Sequence, residues 1–256
     1  MHKPISVSPR PIEEVVGIAM DRHGARSRFL YWPFLFHYSV FLILGVFPAI
    51  WISEQWNLGI PWAPRVALVF APVLLLLLTY GVWAAFLLAD DVIHLRTGEE
   101  SFPWRHWILP KPVSFASLFL VVFVVTVCMA IVVATVQALM SWTAAASVGI
   151  VLLIWTIYLL GAGGMVIVGL TVLWPLIPLA FQGRLGRESI RHALSISLSN
   201  WLTSLLMLLG VLAMLLSGFA LASIGLIVAT PASALLLLVA LGCIEGRLDE
   251  VAGDHA

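Results

Sequence analysis

Polar and apolar residues alternate along this chain in long blocks. Residues 32–53, 66–89, 115–139, 147–173, 201–218 and 226–245 are almost wholly apolar. A membrane-crossing helix takes about 20 such residues. The pattern predicts an all-α fold: a polytopic membrane helical bundle of about six transmembrane helices. The fourth block is ambiguous in length. No charge occurs from Thr143 to Phe181, and "GAGG" at 161–164 could mark a turn between two shorter spans.

The basic residues decide that point. Lysine and arginine stay on the cytoplasmic side. With six spans and a cytoplasmic N-terminus, Lys3, Arg10, Arg22, Arg26, Arg28, Arg96, Arg105, Lys111, Arg184, Arg187, Arg191 and Arg247 all face inward, and Arg65 alone faces outward. Splitting the fourth block would export Arg184, Arg187, Arg191 and Arg247 as well. Six spans therefore fit better, with both ends cytoplasmic. Tryptophan placement agrees. Trp32, Trp174 and Trp201 fall at the inner boundary, and Trp51, Trp56, Trp62 and Trp142 at or near the outer one, where an indole is half wet. Trp83 and Trp155 miss both belts and are expected inside the bundle. The resulting division is a cytoplasmic tail over 1–29, a six-span domain over 30–246 and a second cytoplasmic tail over 247–256. No cleavable signal peptide is expected, because the first 29 residues hold no short apolar run.

Two polar stretches carry a helical period. In "GRLGRESIRHALSISLSNW" (183–201), Ile190, Ala193, Leu194, Ser197, Leu198 and Trp201 share one face; Arg187, Glu188, Arg191, His192 and Ser195 share the other. Such a helix suits the headgroup layer on the cytoplasmic side. Arg184, Arg187 and Arg191 are then candidate contacts for anionic lipid headgroups, although a connector obeying the charge rule would look the same. In "PIEEVVGIAMDR", Ile12, Val15, Val16 and Ala19 share a face, which suggests a second surface helix.

Composition narrows the function classes. The chain is 62% hydrophobic and 10% charged, with a mean hydropathy of +1.07; a soluble chain is about 25% charged. Thirteen basic and thirteen acidic residues cancel, so nucleic acid is not an expected partner. Cys128 and Cys243 lie in apolar runs and are expected to be free thiols.

Chemistry-bearing residues are sparse. Asp90-Asp91-x-x-His94 places Asp90 and His94 one helical turn apart. A metal needs three or four converging ligands, and Glu99, Glu100 and His106 would have to fold back to complete a set. The stretch reads as the solvated end of the second span, with no metal. His37 lies about one turn inside the first span. The second span runs antiparallel to it, so a structural polar pair of His37 with Asp90 or Asp91 is expected. A proton path would need ionisable groups through the bilayer centre, and the middles of the six spans hold no Asp, Glu, Lys or Arg. Gly161, Gly163, Gly164 and Gly169 in the fourth span, and the stripe Gly210, Ala213, Ser217 and Ala220 in the fifth, are candidate helix-packing surfaces; Gly161, Gly164, Gly210, Ala213 and Ser217 are the residues expected to pack. A hinge or substrate site is the alternative for the glycine-rich span. The sequence holds no nucleophile elbow, H-E-x-x-H, P-loop or dinucleotide fingerprint. No enzyme activity and no cofactor are expected.

Three stretches carry a resemblance: "HLRTGEE" at 94–100, "WPLIPLAFQGRLGRESIRHALSISLSNW" at 174–201 and "GLIVATPASALLLL" at 225–238. They resemble a group of bacterial six-helix inner-membrane proteins, the YciC-like proteins and the membrane domain fused to some glycerophosphodiester phosphodiesterases. Relatives often have Glu where this chain has Gln182. The resemblance implies a helical bundle in a bacterial inner membrane and carries over no catalytic residue. The expected function is a non-enzymatic scaffold or accessory subunit of a membrane assembly with anionic lipid contacts. Its partners would be membrane lipids and another membrane protein or a second copy. The alternative is a transporter or handler of a lipid or small hydrophobic molecule.

Overall fold

A computed structural model describes residues 12–94, 111–143, 148–220 and 225–246. Within these, helices α1 (Ile12–Phe41), α2 (Phe47–Asn57), α3 (Ala63–His94), α4 (Pro112–Thr143), α5 (Val148–Leu173), α6 (Leu176–Phe181), α7 (Arg187–Ser199), α8 (Trp201–Ala220) and α9 (Leu226–Ile244) follow one another, with no strand among the described residues. Among the described residues, six segments are long and apolar enough to cross a membrane: Tyr31–Asn57, Ala63–Ile93, Pro112–Thr143, Val148–Leu173, Trp201–Ala220 and Leu226–Ile244. The protein is a multi-pass membrane helical bundle. The uncharged block after Thr143 holds one crossing, and "GAGG" lies inside α5 as helix.

The first crossing is made of α1, a π-helical turn at Leu42–Val46 and α2. Pro48, just after that turn, has no N–H to give residue 44, and a local widening of the helix relieves the clash its ring would cause. Gly45 in the turn is buried, and a Cβ there would lie 3.3 Å from Leu74 of α3. The segment from Ile12 does not form a separate surface helix. It is the start of α1, which runs unbroken past residue 30. Val15 (0% exposed) and Ala19 (8%) belong to the bundle core, with Ile12 and Val16 packed against it. The apolar face expected to lie on lipid is satisfied by protein instead.

Helix α9 is the centre. It touches α1, α3, α6 and α8, and most of its residues from Ala234 to Ile244 are buried. Helices α4 and α5 are peripheral. α4 meets α3 and α6, and α5 meets α7 and α8. A hydrogen bond of 2.7 Å between the Thr135 and Tyr158 hydroxyls links the two. Where α8 ends and α9 begins, the two come as close as backbones allow. A Cβ on Gly218 would sit 2.9 Å from Ala229 Cβ and 3.0 Å from the Gly225 carbonyl.

Proline sets the break after α5. Pro175 cannot donate to residue 171, so the helix ends at Leu173 and the short α6 restarts at Leu176. The hydroxyl of Ser197 in α7 donates to the Val172 carbonyl (2.9 Å), one of the acceptors left over at the end of α5. That bond docks α7 beneath the bundle.

Candidate functional site: the polar end of the bundle

The ends of α3 and α9 and the starts of α4, α7 and α8 gather on one side of the bundle. The turn after α6 organises it. Gln182 closes α6 and Gly183 follows at φ 70°, where a side chain would be strained. Gly183 N–H donates to Ala180 O and Arg184 N–H to Leu179 O, both at 2.9 Å. This pair of bonds is the Schellman C-cap, and it turns Arg184 back toward α9.

Arg184 meets Glu245 there. Arg184 Nη1 donates to both carboxylate oxygens, each at 3.3 Å, and His192 Nε2 lies 2.8 Å from Oε1. The Glu245 side chain is 0% exposed, whereas that of Arg184 is 36% exposed. Glu245 also caps the C-terminal end of α9, where the helix dipole disfavours an anion. A buried carboxylate in that position needs the guanidinium and the imidazole that meet it. Arg184 additionally donates to Gln182 Oε1 at 3.2 Å.

Gln182 extends this network into a chamber of about 500 Å³, lined also by Trp83, Asp90, Asp91, Lys111, Ser114 and Phe181. The chamber offers two carboxylates, an ammonium, a hydroxyl and an amide from α3, α4 and the α6 turn. His94 closes α3, while Glu99, Glu100 and His106 lie outside the described residues. Among the described residues no three His, Cys, Asp or Glu side chains come together to hold a metal.

Helix α7 has three faces where the sequence suggested two. Ala193, Ile196 and Ser197 are buried against the bundle. Ile190, Leu194, Leu198 and, in α8, Trp201 form an exposed apolar stripe. Arg187, Glu188, Arg191 and Ser195 form an exposed polar one. The apolar face was expected whole, but its Ala193 and Ser197 turn inward with Ile196. His192, expected among the exposed polar residues, is drawn to Glu245. Arg184 is likewise committed to Glu245, so of the three arginines expected at lipid headgroups, Arg187 and Arg191 stand exposed on the helix.

Beside α7 lies an apolar crevice of about 470 Å³. Its walls include Leu120 and Val124 of α4, Leu170 of α5, Leu208 and Val211 of α8 and Leu237 of α9; Gly186 and Ile190 line it at the α7 side. Trp174 also lines it. That residue is 2% exposed, and its indole N–H has no hydrogen-bond partner among the described residues.

The expected pairing of His37 with Asp90 or Asp91 is not formed. His37 is 3% exposed and packs edge-on against Tyr80 (ring centroids 5.2 Å apart), and its buried Nδ1 has no hydrogen-bond partner among the described residues. The reason is depth. Asp90 lies ten residues beyond Tyr80 along α3, or about 15 Å at the helical rise. The aspartates therefore reach the chamber while His37 stays in the apolar hairpin.

The glycine expectations are also corrected. Gly161 and Gly164 of α5, and Gly210 of α8, have nothing within 4 Å of where a Cβ would be, and Ala213 and Ser217 are exposed. Among the described residues, no other helix comes close to these three glycines. The tight contact uses Gly218, one residue after Ser217 and so on a different face from the proposed stripe, and Gly225. The pair of glycines flanking "FALASI" was the signal available for it. Trp83 is buried as expected, but Trp155 is half-buried beside Tyr158.

Compared with protein-family models, curated proteins and solved structures, the chain gives no match.

Proposed function

We propose that this protein is a non-enzymatic scaffold or accessory subunit of a membrane assembly. It sits in a bacterial inner membrane with both ends of this chain in the cytoplasm, and it touches anionic lipid at its polar end. One observation carries the subunit reading. In the most apolar stretches of α4 and α5, 0% of residues are buried within the chain. Much of the surface of these two spans is thus open to something else in the bilayer. Gly161 and Gly164 leave flat ground on α5, and small residues let another helix approach closely. The exposed Arg187 and Arg191, beside the apolar stripe of α7, support the lipid contact. The twelve-to-one distribution of basic residues supports the orientation. A second reading, handling of a lipid or small hydrophobic molecule, is favoured by the crevice beside α7.

Purification of the native protein in mild detergent, followed by mass spectrometry, tests the subunit role. A second membrane protein or a second copy in a fixed ratio is the expected result; a monomer with no protein companion overturns it. Orientation is tested separately. A single cysteine at Ser189, in a chain lacking Cys128 and Cys243, should resist an impermeant thiol reagent until the membrane is opened. Labelling in intact cells would refute the cytoplasmic placement.

A further inference from the structure

We propose that the crevice between α4, α5, α8 and α9 holds one acyl chain of an anionic phospholipid, whose phosphate lies at the start of α7. The proposal rests on the lipid contact above and is independent of the subunit role.

Depth is the first argument. Leu208 and Val211 lie seven and ten residues into α8, so the crevice reaches about 10–15 Å from the polar end. Half of a hydrocarbon core about 30 Å thick is the length of one leaflet. The crevice therefore accompanies a lipid chain through its own leaflet and stops near the midplane. Its volume of about 470 Å³ lies within the range of small-molecule sites, about 300–1,000 Å³.

Chemistry supplies the second argument. The walls are aliphatic, except that Trp174 brings an indole N–H with no acceptor among the described residues. A buried donor left unpaired is costly. The ester carbonyls of a phospholipid are acceptors carried at the boundary between chain and headgroup, the level at which α5 ends and Trp174 stands.

The third argument is the mouth. Gly186, which lines the crevice, is the residue from which α7 starts. Its own N–H is taken by Ser189 Oγ at 3.0 Å, but the first-turn amides of Arg187 and Glu188 have no acceptor within the helix and favour an anion. Arg187 and Arg191 flank this point, Arg191 beside the crevice-lining Ile190. Glu188 is the opposing charge on the same turn, and the two guanidiniums outnumber it. A phosphate fits here, and a zwitterionic headgroup would add an ammonium beside the arginines.

The test uses the full chain in vesicles of equal phosphatidylglycerol and phosphatidylethanolamine, extracted mildly and weighed intact. One retained phosphatidylglycerol per chain is expected. The double variant Leu208→Phe/Val211→Phe, which fills the crevice, should lower retention about tenfold, while Val168→Phe on the exposed face of α5 should leave it unchanged. Arg187→Gln/Arg191→Gln should erase the preference for phosphatidylglycerol, about tenfold or more, yet still retain a phospholipid. A photoreactive residue at Val124 decides the matter even if the filled variant fails to fold. Because Val124 is also half exposed to the bilayer, preferential cross-linking to phosphatidylglycerol over the equally abundant phosphatidylethanolamine supports the site. Cross-linking to protein would overturn it, as would undiminished retention in a folded filled variant. Equal retention of both lipids by the wild type would overturn the headgroup assignment.

Discussion

Helices α4 and α9 are alike in composition and opposite in position. α4 holds the most apolar stretch of the six candidate spans, and 0% of that stretch is buried; for α9 the figure is 67%. In water this order would be reversed. In a bilayer the solvent is itself hydrocarbon, so large aliphatic side chains gain nothing by hiding from it. Burial there follows packing. α9 carries Ala229, Ser233, Ala234, Ala240 and Cys243 inward among its leucines, and these small residues let α1, α3 and α8 come close. α4 carries "LFLVVFVVTV", from which Leu118 reaches the core while Leu120, Phe123, Val124, Val125 and Val127 stand exposed.

The sharpest way to break this comparison is at the α8–α9 contact. Gly218→Leu forces a side chain into the Gly225 backbone and Ala229, neither of which can swing aside. The expected loss is about 3 kcal/mol or more, given that overpacking costs about 1–3 kcal/mol even where neighbours can shift. Thermal unfolding in detergent should show a large fall in the midpoint. An unchanged midpoint would mean that α9 is not held at this crossing.

Next in size is the anchor at the other end of α9. Arg184→Ala takes the guanidinium away from the buried Glu245 carboxylate, which keeps its contact with His192. Because Arg184 is partly exposed, the expected loss is about 2–3 kcal/mol, at the low end for breaking a buried pair. Arg184→Ala/Glu245→Gln removes the stranded charge and should recover part of it. If the double variant is less stable than Arg184→Ala, the cluster is not held by charge.

How much of this was legible in the sequence follows from the same physics. The six spans could be read to within a few residues, because charge must stop where the bilayer begins. The centre could not. α4 and α9 are both apolar all round, and their difference lies in a few alanines and serines. The Arg184–Glu245 pair spans 61 residues, with no local spacing to betray it. The reading of His37 failed for a nearer reason. It matched two polar groups by topology without measuring their depth, which ten residues of helix set apart.

His37 therefore gives a smaller and more unusual prediction. Its Nδ1 is buried beside Tyr80 without a partner among the described residues, and an unsatisfied buried polar atom costs about 1–3 kcal/mol. His37→Phe keeps the ring and removes the orphan nitrogen. Stability should hold or rise by about 1 kcal/mol, and Asp90→Asn and Asp91→Asn should not alter that gain. A marked loss of stability in His37→Phe would show that the imidazole has a polar role in the hairpin.

The smallest expected effect is on the outward helices, and there its size depends on the company the protein keeps. Gly161 and Gly164 have open space around them within this chain. In an isolated chain, Gly161→Leu/Gly164→Leu should change stability by no more than about 0.5 kcal/mol per site beyond a slight gain in helix propensity. The side chains would simply enter the surrounding detergent or lipid. In a native assembly the same two leucines would stand between helices that need small residues to approach. The variant should then fold and melt like the wild type in strong detergent, yet lose its companion protein when extracted mildly. Both measurements are needed, since each separates a different cause. A fall in the melting midpoint of the isolated chain would mean that α5 packs against its own bundle through this face. An intact complex in the mild extract would mean that the partner, if it binds α4 and α5 at all, does so through their aliphatic ridges instead of their glycines.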